Sequence, residues 1–166
     1  MCSLTGFSQQ HKWGKNAKTF KVSGIVTQTF SYCGGAAPSR EMLDKLGTPI
    51  AFPGKRFYVR EGEINNSKNK IIKAFTADST GKFCFRLEPG IYAIILQEQL
   101  DTVKVTDYAK SDQQVDEFCL NNWWKTPYYL LTIKRSNVTE LKFNFFHRCF
   151  LATDNPCISY RGVLPQ

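Results

Sequence analysis

The stretch K-F-C-F-R-L-E-P-G-I-Y-A-I-I-L, residues 82–96, sets the fold class. Phe83, Phe85 and Leu87 fall on one side of an extended chain, because side chains alternate along a strand. Glu88-Pro89-Gly90 supplies a turn: proline presets φ, and glycine accepts positive φ. The apolar run that follows reads as a second strand, and the two together as a β-hairpin.

The same logic extends in both directions. F-K-V-S-G-I-V-T, residues 20–27, alternates Phe20, Val22 and Val26 against Lys21 and Ser23, as a half-buried strand does. R-F-Y-V-R and I-I-K-A-F-T, 56–60 and 71–76, are further strands. Y-Y-L-L-T-I-K and E-L-K-F-N-F-F-H-R-C-F complete the set, joined by the turn-like R-S-N-V. Two segments carry helical signals. One is P-S-R-E-M-L-D-K-L-G, with Pro38 near its start and Gly47 as a stop. The other is 111–124, where Val115, Phe118 and Cys119 recur at spacings of three and four and Pro127 bars continuation. About seven short strands separated by turns predict a mainly β, two-sheet β-sandwich. The two helices are expected as insertions, not as crossovers of a parallel sheet.

With 166 residues, 42% of them hydrophobic, the chain suits one domain with one core, assigned to 11–166. Thirteen Phe and seven Tyr against two Met favour strands. No apolar run reaches the roughly 18–20 residues of a transmembrane helix. The formal net charge of +8 is scattered, with no dense basic block, so nucleic acid is not expected as a partner. Residues 1–10, M-C-S-L-T-G-F-S-Q-Q, lack the basic start of a full signal peptide but read as the tail of one, trimmed near Gln9 or Gln10. Otherwise they form a disordered N-terminus. Export to periplasm or medium is the expectation, with Cys2 outside the fold.

The run T-A-D-S-T-G-K-F-C-F-R-L-E-P-G-I-Y, residues 76–92, resembles carboxypeptidase regulatory-like domains. Thr76, Asp78, Gly81, Phe83, Phe85, Leu87, Pro89, Gly90 and Tyr92 match that family's pattern, with Ala77 as one extra residue. V-S-G-I-V is similar to its opening strand. The resemblance covers about 20–95 and implies a transthyretin-like (prealbumin-like) sandwich, usually a non-catalytic module. Secreted Bacteroidetes proteins look similar over a longer span that includes C-G-G-A and the cysteine-rich end. Asp78-Ser79-Thr80 and Asp101-Thr102-Val103 also resemble the O-glycosylation pattern of such proteins.

In an oxidising compartment the five cysteines after Cys2 would give at most two bridges and one free thiol. F-N-F-F-H-R-C-F-L-A-T-D-N-P-C, 143–157, holds one of the chain's two histidines. The expected bridges are Cys149–Cys157, across a loop that Asn155-Pro156 reverses, and Cys33–Cys119. The competing reading makes His147, Cys149 and Cys157 metal ligands, although their spacing matches no zinc pattern. A hydrolase reading pairs His147 with Cys149 or Tyr160. Tyr160-Arg161-Gly162 is similar to the end of hydroxyisourate hydrolases over those three residues alone. Of the aromatics, Trp123 is expected in the core, while Trp124 and Tyr128 are candidates for a ligand surface. The functional expectation is a non-catalytic exported binding or structural module for a protein or glycan at the cell envelope, with no cofactor. The alternative is a small metalloprotein or hydrolase centred on His147.

Overall fold

The computed structural model describes residues 18–101, 104–108 and 110–163. The expectations for residues 1–10, for Cys2 and for Thr102-Val103 lie outside the described residues.

The architecture is a mainly β sandwich with short helical insertions. Its described strands are β1 (Phe20–Phe30), β2 (Ile50–Ala51), β3 (Arg56–Glu61), β4 (Ile71–Thr76), β5 (Lys82–Leu87), β6 (Gly90–Leu96), β7 (Gln113–Val115), β8 (Tyr129–Ile133), β9 (Val138–His147) and β10 (Ile158–Tyr160). Two helices interrupt them, α1 (Arg40–Gly47) and α2 (Glu117–Lys125). In the first sheet β1 is central, with β5 and the short β2 on one side and β9 on the other. The second sheet runs β4-β3-β6-β8, and β7 with β10 forms a separate ribbon.

The 82–96 stretch does not form a hairpin. β5 pairs with β1, while β6 pairs with β3 and β8, so Glu88-Pro89 carries the chain from one sheet to the other as an arch. Burial explains the difference. Every residue from Tyr92 to Leu96 is buried, which suits a strand with neighbours on both edges and cover on both faces. β5 alternates, burying Phe83, Phe85 and Leu87 alone. The inward side chains of the two strands therefore face each other across the core.

That core is largely phenylalanine. Phe57 stacks on Phe75 at 5.0 Å and lies 5.3 Å from Phe143, and Phe75 stacks on Phe85 at 4.6 Å. Leu141, Phe143 and Phe145 of β9 are buried with them. The Asp78 turn before β5 is built as its sequence suggests. Asp78 Oδ1 accepts from Thr80 N (2.8 Å), Thr80 Oγ1 (2.8 Å) and Lys82 N (2.9 Å), and Gly81 takes φ +77°. These three donors hold the Asp78 carboxyl below its ordinary range, the Thr80 hydroxyl contributing most.

The first helix starts at Arg40, capped by Ser39, whose side chain accepts from Met42 N at 3.2 Å. The second is shorter than the spacing suggests. Asp116 caps it, accepting from Cys119 N at 2.9 Å, and residues 113–115 are strand β7 instead. Phe118 is 79% exposed, and Leu120 is the buried anchor of α2.

The segments around α2 cover the outer face of the second sheet through buried polar side chains. Arg60, 4% exposed, donates to the carbonyls of Asn69 (2.7 Å) and Leu100 (2.9 Å). Asn65 donates to Gln99 O and Trp124 O, and Gln99 to Trp123 O and Thr126 O, each at 2.8 Å. Loop carbonyls that would otherwise be buried unpaired are satisfied this way.

Candidate functional site

Of the residues singled out by sequence, Cys33, His147, Cys149 and Tyr128 gather at one end of the sandwich, where β1 and β9 finish side by side. β9 runs parallel to β1, with Phe30 opposite His147. This register, which no local pattern reveals, determines the cysteine pairing. Cys33 and Cys149 leave adjacent strand ends and are joined, Cα to Cα 5.4 Å apart. The chain then runs to the β7–β10 ribbon. Ile158 pairs with Val115, and Asp116 N donates to Cys157 O at 2.9 Å, which sets Cys157 beside Cys119 at the start of α2. Those two are joined, again with Cα atoms 5.4 Å apart. The expected bridges Cys149–Cys157 and Cys33–Cys119 are thus corrected to Cys33–Cys149 and Cys119–Cys157. The expectation of a free thiol also fails, because Cys84 is disulfide-bonded too and no described cysteine is free.

The loop between Cys149 and Cys157 is consequently anchored at one end to the first sheet and at the other to α2. Arg148 braces it further, donating to Ile158 O at 2.8 Å and to Asn155 O. Asn155 Oδ1 in turn accepts from Cys157 N at 3.0 Å. This bracing holds Asp154 over the end of the core. Asp154 Oδ1 lies 3.0 Å from His147 Nδ1, and its Oδ2 3.7 Å from Lys55 Nζ. On its other side, His147 Nε2 lies 2.9 Å from Gln28 Oε1. The ring is thus held between a carboxylate at one nitrogen and a side-chain amide at the other. It stacks on Phe30 at 5.0 Å and meets Phe52 edge-on at 5.3 Å. Lys55 Nζ sits 4.3 Å from the centroid of Phe145, a cation–π contact.

Tyr128 belongs to the same end, but turned inward. Its ring stacks on Phe145 at 5.1 Å with planes 3° apart, and its hydroxyl donates to Asn144 O at 3.4 Å. Burial, aided by the charge of Asp154, pushes its hydroxyl up to about 12. Tyr128 is therefore a packing residue rather than part of an open platform. Trp124 is half-buried, and its Nε1 donates to Asp101 O at 2.6 Å. Trp123 packs against the core.

The metal reading loses its ligands: both cysteine sulfurs are consumed in disulfides to different partners, and both His147 nitrogens face protein acceptors. Among the described residues no group of three or more His, Cys, Asp or Glu is placed to hold an ion. The hydrolase reading fares no better. Cys149 is oxidised, and Tyr160 lies in the β7–β10 ribbon, its ring 4.8 Å from Phe150 and its hydroxyl on Val163 O.

Asp154, Lys55 and Gln28 carry the cluster and were not legible as site residues. T-D-N-P reads as a turn, Lys55 as one scattered cation, and Gln28 as a polar strand position. The parallel β1–β9 register sets Gln28 beside His147, and the loops between β2 and β3 and after Cys149 bring Lys55 and Asp154 to it.

No family model and no curated protein matches the chain. Three solved structures are similar over most of it. The Bacillus anthracis TIE protein is 14% identical at TM-score 0.36, covering 78% of this chain and 17% of its own. A DUF3823 family protein from Parabacteroides merdae is 15% identical at TM-score 0.36, covering 78% and 46%. GBS52, the minor pilin of Streptococcus agalactiae, is 12% identical at TM-score 0.38, covering 82% and 47%. The chain thus spans less than half the length of each of these proteins.

Proposed function

We propose that this chain is an exported, non-catalytic module that binds a protein or glycan partner or serves an envelope structure. The observation that supports it best is the clasp itself. Every group that could do chemistry near His147 is tied to another part of the protein: His147 to Asp154 and Gln28, Lys55 to Asp154, Cys149 to Cys33. A general base needs a nitrogen within reach of a substrate proton, and a nucleophile needs a free thiolate. A clasp needs neither. The disulfides fit an oxidising compartment, and no helix among the described residues is long and apolar enough to cross a membrane. The transthyretin-like resemblance of residues 76–92 agrees with a module of this kind.

The test compares two substitutions in the oxidised protein, scored on a glycan array and by quantitative cross-linking to envelope proteins of the producing cell. His147→Ala should keep the fold and leave partner binding unchanged. Trp124→Ala is the variant expected to weaken it, with Phe118→Ala as a surface control that disturbs no hydrogen bond. A hydrolytic or metal-dependent activity that disappears in His147→Ala while the fold survives would overturn the reading.

A further inference from the structure

We propose that the protein self-associates through the outer edge of β9, which pairs antiparallel with β9 of a second copy about a two-fold axis at Asn144. The inference rests on the sandwich alone and holds whether or not a glycan or protein partner is found.

Backbone N–H and C=O groups of successive strand residues point to alternate edges of the strand. Phe143 O accepts from Thr27 Oγ1 at 3.4 Å and His147 O from Ser31 N at 2.9 Å, so these residues spend their backbone groups toward β1. Lys142, Asn144 and Phe146 therefore turn theirs outward. Among the described residues β9 pairs with β1 and with no other strand. The Asn144 carbonyl takes the Tyr128 hydroxyl at 3.4 Å and keeps a second lone pair.

An axis at Asn144 sets that residue opposite itself, and Lys142 opposite Phe146 of the second copy, in both directions. Each of these pairings has both N–H and C=O groups facing the partner strand. The side chains suit the same register. Lys142 and Phe146 lie on the outer face, opposite to buried Leu141, Phe143 and Phe145, and Phe146 is 54% exposed. Pairing would cover that ring with the stem and ammonium of Lys142, the kind of contact Lys55 already makes with Phe145. A two-fold interface needs such self-complementarity.

Two other strands that end a sheet, β4 and β5, carry devices that deter edge pairing. β4 carries Lys73 and faces a register shift between Val59 and Arg60. β5 carries Lys82, disulfide-bonded Cys84 and Arg86, the last held to Thr19 at 3.0 Å. From Leu141 to Phe146, β9 has Lys142 as its one charge, and the pairing uses it.

The experiment is sedimentation velocity of the oxidised wild-type chain across a concentration series, beside Phe146→Lys and the double variant Lys142→Glu with Phe146→Lys. The wild type should move from one to two copies as concentration rises. Phe146→Lys, which opposes two lysines at each end of the pairing, should remain a monomer with an unchanged thermal transition. The double variant restores opposite charges and should dimerise again. Asn144→Cys gives a reading independent of those folds: on the axis, it should form a disulfide to its own copy on a non-reducing gel. A wild type that stays monomeric at every concentration overturns the proposal, whether the edge is left bare or covered by another segment of the same chain. So does a Phe146→Lys variant that dimerises like the wild type, or an Asn144→Cys chain that forms no cross-link.

Discussion

His147 Nδ1 and Asp154 Oδ1 lie 3.0 Å apart, and between them in the chain stands Cys149, bonded back to the end of β1. The carboxylate thus joins a strand end to the loop that leads to the β7–β10 ribbon. Its other oxygen meets Lys55 at 3.7 Å, with the two side chains 17% and 15% exposed. Removing it as Asp154→Ala leaves Lys55 Nζ and His147 Nδ1 without this partner beside a half-closed aromatic wall, and should cost about 1–3 kcal/mol in urea unfolding. Lys55→Met removes a charge but keeps the stem on Phe145, and should cost about 1 kcal/mol or less. Equal losses in the two variants would contradict the clasp.

Tyr128 carries a pH dependence with a definite sign. Its ordinary value of 10.0 is pushed up to about 12 by burial and by Asp154. The folded state therefore holds the proton more tightly than the unfolded chain does. The stability this gives is complete below pH 10 and declines as pH rises from about 10 to about 12. Tyr128→Phe should unfold with a shallower alkaline decline over that window, measured against wild type by denaturant titration at each pH.

The Cys33–Cys149 and Cys119–Cys157 bridges should differ in weight. They close 116 and 38 positions of sequence. Chain-entropy reasoning gives about 5 kcal/mol for the longer loop and about 4 for the shorter. Cys33→Ser with Cys149→Ser should lower the thermal midpoint more than Cys119→Ser with Cys157→Ser. The second pair should instead loosen α2 selectively, seen as faster amide exchange at Leu120 with β1 still protected.

Gly24 allows the parallel pairing on which the site depends. A Cβ there would collide with the Leu141 carbonyl and lie 2.7 Å from the ring of Phe83. Gly24→Ala should cost about 3 kcal/mol, the upper range of overpacking, measured by urea unfolding. A neutral effect would mean that β9 can slide along β1.

Much of the fold was legible in the sequence, because alternation writes burial directly into strands such as Phe83-Cys84-Phe85-Arg86-Leu87. The turn chemistry of Asp78 and Gly81 was equally readable. Pairing was not. A turn such as Glu88-Pro89-Gly90 serves a hairpin or an arch alike, and the choice rests on how much of β6 must be buried. The cysteines failed for a related reason: proximity in sequence favoured Cys149 with Cys157, whereas the parallel register set Cys149 beside Cys33. Trp124 and Tyr128 were read from composition at a corner, where the decisive facts are the partners Asp101 and Phe145. The clasp residues Gln28, Lys55 and Asp154 carry no local signal, since each is ordinary until the strands are placed.

The most direct measurement is a non-reduced peptide map of the thiol-alkylated native protein by mass spectrometry, cut between Cys149 and Cys157. The account requires linked peptides joining Cys33 to Cys149 and Cys119 to Cys157. A Cys149–Cys157 link, or alkylation at both residues with a metal mass lost on denaturation, would contradict it and return His147 to the centre of a chemical site.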